Sequence, residues 1–95
     1  MHGEYKAPGN KLVMIDFEID HDNNTIYNVQ ISGDFFLEPS EALNIMNESL
    51  NGLPIESNDE FIKKTIEKNL PENTEFIGFS TTDIVVTIKR ALLCP

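Results

Sequence analysis

Ile31-Ser32-Gly33-Asp34-Phe35-Phe36-Leu37-Glu38-Pro39 is the stretch on which the fold turns. It closes an alternating apolar–polar run, breaks it at a glycine, and places two phenylalanines beside an aspartate. After Pro39 the apolar residues recur at helical spacing instead. Successive side chains leave a strand on opposite faces. Phe35 and Phe36 therefore cannot both enter one core, and one of them is a candidate contact with something outside the chain.

Upstream, Lys11 to Asp20 is the clearest strand. Val13, Ile15, Phe17 and Ile19 share one face, and Asp16, Glu18 and Asp20 share the other. This is the period of a half-buried antiparallel strand. His21-Asp22-Asn23-Asn24 is a polar turn. Thr25 to Ser32 is the return strand, with Tyr27, Val29 and Ile31 expected in the core and Asn28, Gln30 and Ser32 outside, completing a hairpin. Tyr5 and its neighbours read as a short first strand. Pro8-Gly9-Asn10 reads as a turn, in which proline presets φ and glycine or asparagine supplies the positive φ that tight turns need.

Downstream, Leu43, Met46, Leu50 and Leu53 define a helix with Pro39 at its first turn and Gly52 near its end. A second helix starts at Ser57, where Ser57 and Glu60 have the spacing of a capping box. Ile62, Ile66 and Leu70 form its stripe, and Pro71 stops it. Glu72 to Gly78 reads as a connector. Ile84-Val85-Val86-Thr87-Ile88 is β-branched and would suit a strand. Against that, Ser80 and Asp83 form a box-like cap, Phe79 and Ile84 hold staple positions, and Lys89 and Arg90 fall where a helix dipole favours cations. The segment is assigned to a helix. The expected architecture is α+β: an antiparallel β-meander, made of the hairpin plus a short N-terminal strand, with about three helices packed on one face. It forms a single domain over residues 1–95.

The 95 residues carry 40% hydrophobic and 24% charged side chains, which is a globular composition. Seven basic residues against sixteen acidic ones give a net charge of −9. That field repels phosphate backbones and anionic lipid, so neither nucleic acid nor a membrane is expected as a partner. A basic protein surface is favoured instead. A domain of this size buries only about 60–65% of its unfolded surface, and a partner interface would add to a modest stability. The lone cysteine, Cys94, allows no internal disulfide and fits a reducing compartment. No signal-peptide pattern opens the chain, and no apolar run approaches the ~20 residues that span a bilayer. These features point to a cytoplasmic location.

Catalytic equipment is not legible. His21 sits between Asp20 and Asp22 in the hairpin turn, and His2 is the other histidine. That set falls short of a metal site, and no metal ligand is assigned. Asp16, Glu18 and Asp20 form an acidic ladder best read as a solvated face. Ser57 and Ser80 are caps, and Cys94 has no positioned base, so no catalytic residue is assigned. Lys11 follows a glycine turn, where backbone amides and an ammonium could together meet an anion. Gly33, Asp34, Phe35, Phe36 and Leu37 form the candidate partner interface, because aromatic residues are favoured in interface cores.

At these residues the chain resembles a known family. Pro8-Gly9-Asn10-Lys11-Leu12-Val13, the hairpin, Ile31-Ser32-Gly33-Asp34-Phe35-Phe36, the helix opening Glu38-Pro39-Ser40-Glu41-Ala42-Leu43, and the Gly78-Phe79-Ser80 cap look like the accessory C-terminal domain of lipoate–protein ligase A. Asn10 stands where that family more often has a second glycine. The resemblance covers nearly the whole chain and implies the separate small subunit of a bipartite ligase, forming a heterodimer with a catalytic subunit. It further implies that the complex uses ATP, Mg and lipoate to make lipoyl-AMP. The lipoyl group then passes to a lysine of lipoyl-domain acceptor proteins. No cofactor is expected on this chain alone. The role implied for Lys11 is to lie near a phosphate. A scaffold or binding module of iron–sulfur-assembly-like shape, unrelated to lipoylation, is the competing reading.

Overall fold

A computed structural model describes residues 1–9 and 11–93. The expectations for Asn10 and Cys94 lie outside them. The elements run β1 (His2–Ala7), β2 (Lys11–Asp20), β3 (Thr25–Gly33), β4 (Phe36–Glu38), α1 (Ala42–Leu50), α2 (Asp59–Glu67), β5 (Glu75–Ile77) and α3 (Thr81–Leu93). β1, β2 and β3 form an antiparallel sheet in chain order, and β4 pairs with β5 in a separate antiparallel ribbon. The expected α+β meander is therefore present, with the ribbon added to it.

The alternation of β2 does what its period requires. Val13, Ile15 and Phe17 are buried, and α3 covers them together with the inner side of β1. Their partners from α3 are Ile84, Ile88 and Ala91, all fully buried. The helix comes so close to β1 that a β-carbon on Gly3 would stand 2.8 Å from Ala91 Cβ and 2.7 Å from the Thr87 carbonyl oxygen. Helix α1 packs on β3, and α2 bridges α1 and α3.

One inward residue of β3 differs from expectation. Tyr27 is 42% exposed, and Ile26 is buried in its stead. Asp16 pairs with Gln30, but Glu18 pairs with Tyr27, so β3 spends one more residue than β2 across this interval. Such a bulge reverses which parity faces the core. Asn28 has φ +54° and donates from its amide to the Glu18 carboxylate at 2.7 Å. Asparagine is among the few non-glycine residues that visit this conformation readily.

The helix boundaries also shift. α1 begins at Ala42 rather than Pro39, because Pro39 to Ala42 closes a turn first, with the Ala42 amide donating to the Pro39 carbonyl. Leu53 is buried but lies beyond the helix, where its carbonyl accepts from Ile26 N–H at 3.0 Å. α2 is capped by Asn58, whose side chain accepts from Phe61 N–H at 2.8 Å. Ser57 is engaged elsewhere, its hydroxyl donating to the Pro54 carbonyl at 2.6 Å. Leu70 falls past the end of α2 and is half-buried. The cap of α3 forms as expected: Ser80 N–H donates to Asp83 Oδ2 at 2.8 Å, and Asp83 N–H donates back to Ser80 Oγ at 3.4 Å. Lys89 spans from α3 to the segment before α2, donating to the Ser57 carbonyl at 2.6 Å.

β3 is an edge strand, and α1 together with the residues that follow it closes off the outward amides of Ile26, Val29 and Ile31. Ile31 N–H donates to Asn47 Oδ1 at 3.1 Å, and Val29 N–H donates to Asn51 Oδ1 at 3.2 Å. A backbone bridge from Thr25 to Pro54 continues the seal. Asn47 is buried, so Asn47→Ala should leave the Ile31 amide without a partner. The expected loss is about 1–3 kcal/mol, read as a lower urea midpoint with an unchanged slope.

The outer face of the sheet carries a histidine held between two carboxylates. His2 Nε2 lies 2.7 Å from Glu4 Oε2, and Nδ1 lies 2.7 Å from Asp16 Oδ1. Only the imidazolium donates from both nitrogens at once. Hydrogen bonding to Glu4, then to Asp16, therefore raises its pKa above 6.5. A raised folded-state pKa stabilises fully below 6.5, and that contribution is lost as pH rises through the folded value. The His2 midpoint followed by NMR is expected above 6.5, returning towards it in the Glu4→Gln, Asp16→Asn double variant.

Candidate functional site: an aromatic exit and the depression beside it

The exit of β3 and the turn between β1 and β2 come together in space. Asp34 N–H donates to the Leu12 carbonyl at 2.9 Å, prolonging the β2–β3 pairing past Gly33. At that step the chain turns sharply. Gly33 has φ +144°, and a β-carbon there would stand 2.0 Å from the Leu12 carbonyl oxygen. Only glycine fits such an approach.

The turn sends the two phenylalanines apart. Phe35 is half-buried, with its ring 4.0 Å from that of Phe79 at an interplanar angle of 29°. Phe79 in turn lies 5.1 Å from Phe76, so a row of three rings joins the end of β3 to β5 and the start of α3. Phe36 points the other way and is 73% exposed, whereas Leu37 returns inward at 8%. β4 then pairs with β5, setting Phe36 opposite Ile77 and Leu37 opposite Phe76. Residues directly opposite in an antiparallel pair share a face. Ile77 is 45% exposed, so Phe36 and Ile77 present one apolar patch to solvent.

Beside it lies a shallow depression of about 380 Å³ lined by Gly9, Lys11, Gly33, Asp34, Phe35 and Phe36. The stem of Lys11 runs over Gly78, where a β-carbon would be 3.4 Å from Lys11 Cγ. The site therefore offers an apolar patch, one exposed ammonium and one exposed carboxylate. It holds no nucleophile–base pair. Among the described residues no cluster of three or more histidine, cysteine, aspartate or glutamate side chains could hold a metal ion, and no helix is long and apolar enough to cross a membrane.

No family model matches the chain. A 50-residue stretch is 36% identical to the Lipoate-protein ligase A subunit 2 of Thermoplasma acidophilum, a match spanning 53% of this chain and 53% of that protein. The chain thus covers about half the length of that curated relative. A solved structure agrees over far more of it. One chain from a structural analysis of an archaeal lipoylation system superposes on 93% of this chain and on 97% of its own, with TM-score 0.69 and 25% identity. That system comprises a bi-partite lipoate protein ligase and its E2 lipoyl domain from Thermoplasma acidophilum. The chain is similar to the second subunit of a lipoate–protein ligase.

Of the residues singled out in sequence, Gly33, Asp34, Phe35 and Phe36 line the depression with Lys11, while Leu37 is on the buried face of the ribbon. Ile77 was not singled out. Its signal is the adjacent pair Phe76-Ile77, which repeats the Phe35-Phe36 pattern of two neighbouring apolar residues in an extended segment. His21 stays apart, lining a shallow surface hollow with Ile19, Asp20, Asp22 and Tyr27. There Asp20 is held below the ordinary carboxylate range by hydrogen bonds from the Asn23 side chain and from the Asn23 and Asp22 amides.

Turn and patch separate cleanly in their energetics. Gly33→Ala should cost at least ~2 kcal/mol, because a clash with backbone adds to the conformational strain. Phe36→Ala should stay within about 0.5 kcal/mol of the parent, since the ring is mostly in water already. Paired urea denaturation curves check both.

Proposed function

We propose that this chain is the non-catalytic accessory subunit of a two-chain lipoate–protein ligase, required for ATP-dependent activation of lipoate to lipoyl-AMP. The observation that carries the reading is the structural likeness to a bi-partite ligase chain over 93% of the residues. It is supported by a site that offers docking chemistry: an exposed apolar patch flanked by Lys11 and Asp34.

Activation of a carboxylate by ATP needs a closed, water-poor site that holds the reacting groups in line. A second body docked at the rim stabilises the closed conformation by as much as it binds that conformation better than the open one. Phe36 and Ile77 are the apolar anchor of this contact. Phe35 and Leu37 hold the anchor from beneath, Gly33 sets its direction, and Asp34 and Lys11 stand at its edge. Lys11 is the residue placed to approach a phosphate in the assembled complex. The nucleotide, Mg and lipoate belong to the catalytic partner. The acceptor lysine of a lipoyl domain reaches this chain only through the complex.

Mixing the chain with the catalytic subunit should create lipoate-dependent AMP–pyrophosphate exchange that neither shows alone. The Phe36→Ala, Ile77→Ala variant should remain folded by circular dichroism yet lose affinity by about 30-fold, the scale of an interface hot spot of ~2 kcal/mol. Lys11→Ala should raise the KM for ATP while leaving complex formation intact. An unaltered affinity in the double variant removes the patch from the interface. Absence of exchange in the mixture removes the ligase reading itself.

A further inference from the structure

The two edges of the main sheet are treated differently, and the difference identifies a second binding surface. Phe17 N–H donates to the Met1 carbonyl at 3.0 Å, and the Met1 amino group donates to the Phe17 carbonyl at 2.7 Å. Met1 and Phe17 are therefore a hydrogen-bonded pair of the β1–β2 ladder. In an antiparallel ladder such pairs alternate, so the next ones are Gly3 with Ile15, Tyr5 with Val13 and Ala7 with Lys11. The backbone groups of His2, Glu4 and Lys6 consequently point away from the sheet.

On the far side Ile26, before the bulge, and Val29 and Ile31, after it, point outward, and their amides are taken by the Leu53 carbonyl, Asn51 and Asn47 respectively. On β1, no backbone or side-chain group among the described residues accepts from the His2, Glu4 or Lys6 amide. Arg90 alone reaches this edge, donating to the Glu4 carbonyl over a long 3.4 Å while its guanidinium lies 4.9 Å from the centre of the Tyr5 ring.

We infer that the β1 edge accepts an antiparallel strand from another protein chain, and that this strand is basic. An added strand gains its affinity from the open backbone groups and its selectivity from the side chains beside it. On the outer face Glu4 stands opposite Met14 at the middle of β1, Asp16 lies opposite His2, and Lys6 is at the far end. A strand bringing a cation opposite Glu4, and small polar residues opposite His2 and Lys6, matches that pattern. The net charge of −9 opposes a second copy of this chain in the same place and favours a cationic one. This inference does not rest on the lipoate reading, because the edge is on β1 and the patch is on β4 and β5.

The probe is a capped synthetic peptide, Val-Thr-Val-Lys-Val-Thr-Val, titrated into the isotope-labelled chain. Saturation should slow hydrogen exchange at the Glu4 and Lys6 amides by about tenfold or more, leaving Val29 and Ile31 unchanged. A version N-methylated on alternate residues keeps the charge and loses the ladder, and a version with glutamate for lysine keeps the ladder and reverses the charge. Both should bind at least tenfold more weakly. Equal binding of the N-methylated peptide overturns strand addition, and equal binding of the glutamate peptide overturns the basic partner. Protection of Glu4 and Lys6 that grows with protein concentration alone overturns it in favour of a second copy. Protection independent of concentration and peptide shows the edge already closed.

Discussion

The stack of Phe35 on Phe79 is the contact on which the working end of the molecule depends. It joins the end of the meander to the residue that leads into α3, 44 residues later in number. Aromatic pairs contribute about 0.5–1.5 kcal/mol beyond their buried area. Its larger effect is directional. With Phe35 committed inward, the extended chain has no choice but to turn Phe36 outward, and the pairing of β4 with β5 then brings Ile77 to the same side. The exposed patch is a consequence of burying the residue before it.

A second dependency runs through glycine. Gly33 passes so close to Leu12 that no side chain fits, and this closeness brings the β1–β2 turn with Lys11 alongside the aromatic exit. Segments more than twenty residues apart in sequence thus form one shallow depression. The carboxylate of Asp34 and the ammonium of Lys11 both line it without forming an ion pair. Each therefore stays free to meet a group from outside.

Much of this was legible in the amino-acid sequence where a local rule governs. The period of β2, the cap of α3 at Ser80 and Asp83, and the divergence of Phe35 and Phe36 follow from geometry within a few residues. What escaped depends on distance or on competition. The bulge at Asn28 keeps Val29 and Ile31 in phase but turns Tyr27 out, and only the register against β2 reveals it. Ser57 and Asn58 are both good caps, and the outcome was decided by the Pro54 carbonyl, which took the serine hydroxyl. The β4–β5 ribbon joins segments separated by two helices, so Glu72 to Gly78 looked like a connector. The pairing of Ile77 with Phe36 exists only through that ribbon.

The side-chain amides of Asn47 and Asn51 have a consequence beyond stability. They plug one flank of the sheet with groups that cannot be copied onto a neighbour. Whatever is laid against β1 meets a template that ends three strands away. Stacking of sheet upon sheet, the route by which open-edged β proteins polymerise, has nowhere to continue. Two asparagines, one in α1 and one just past its end, thereby allow a small acidic domain to keep one side sticky without becoming a fibre.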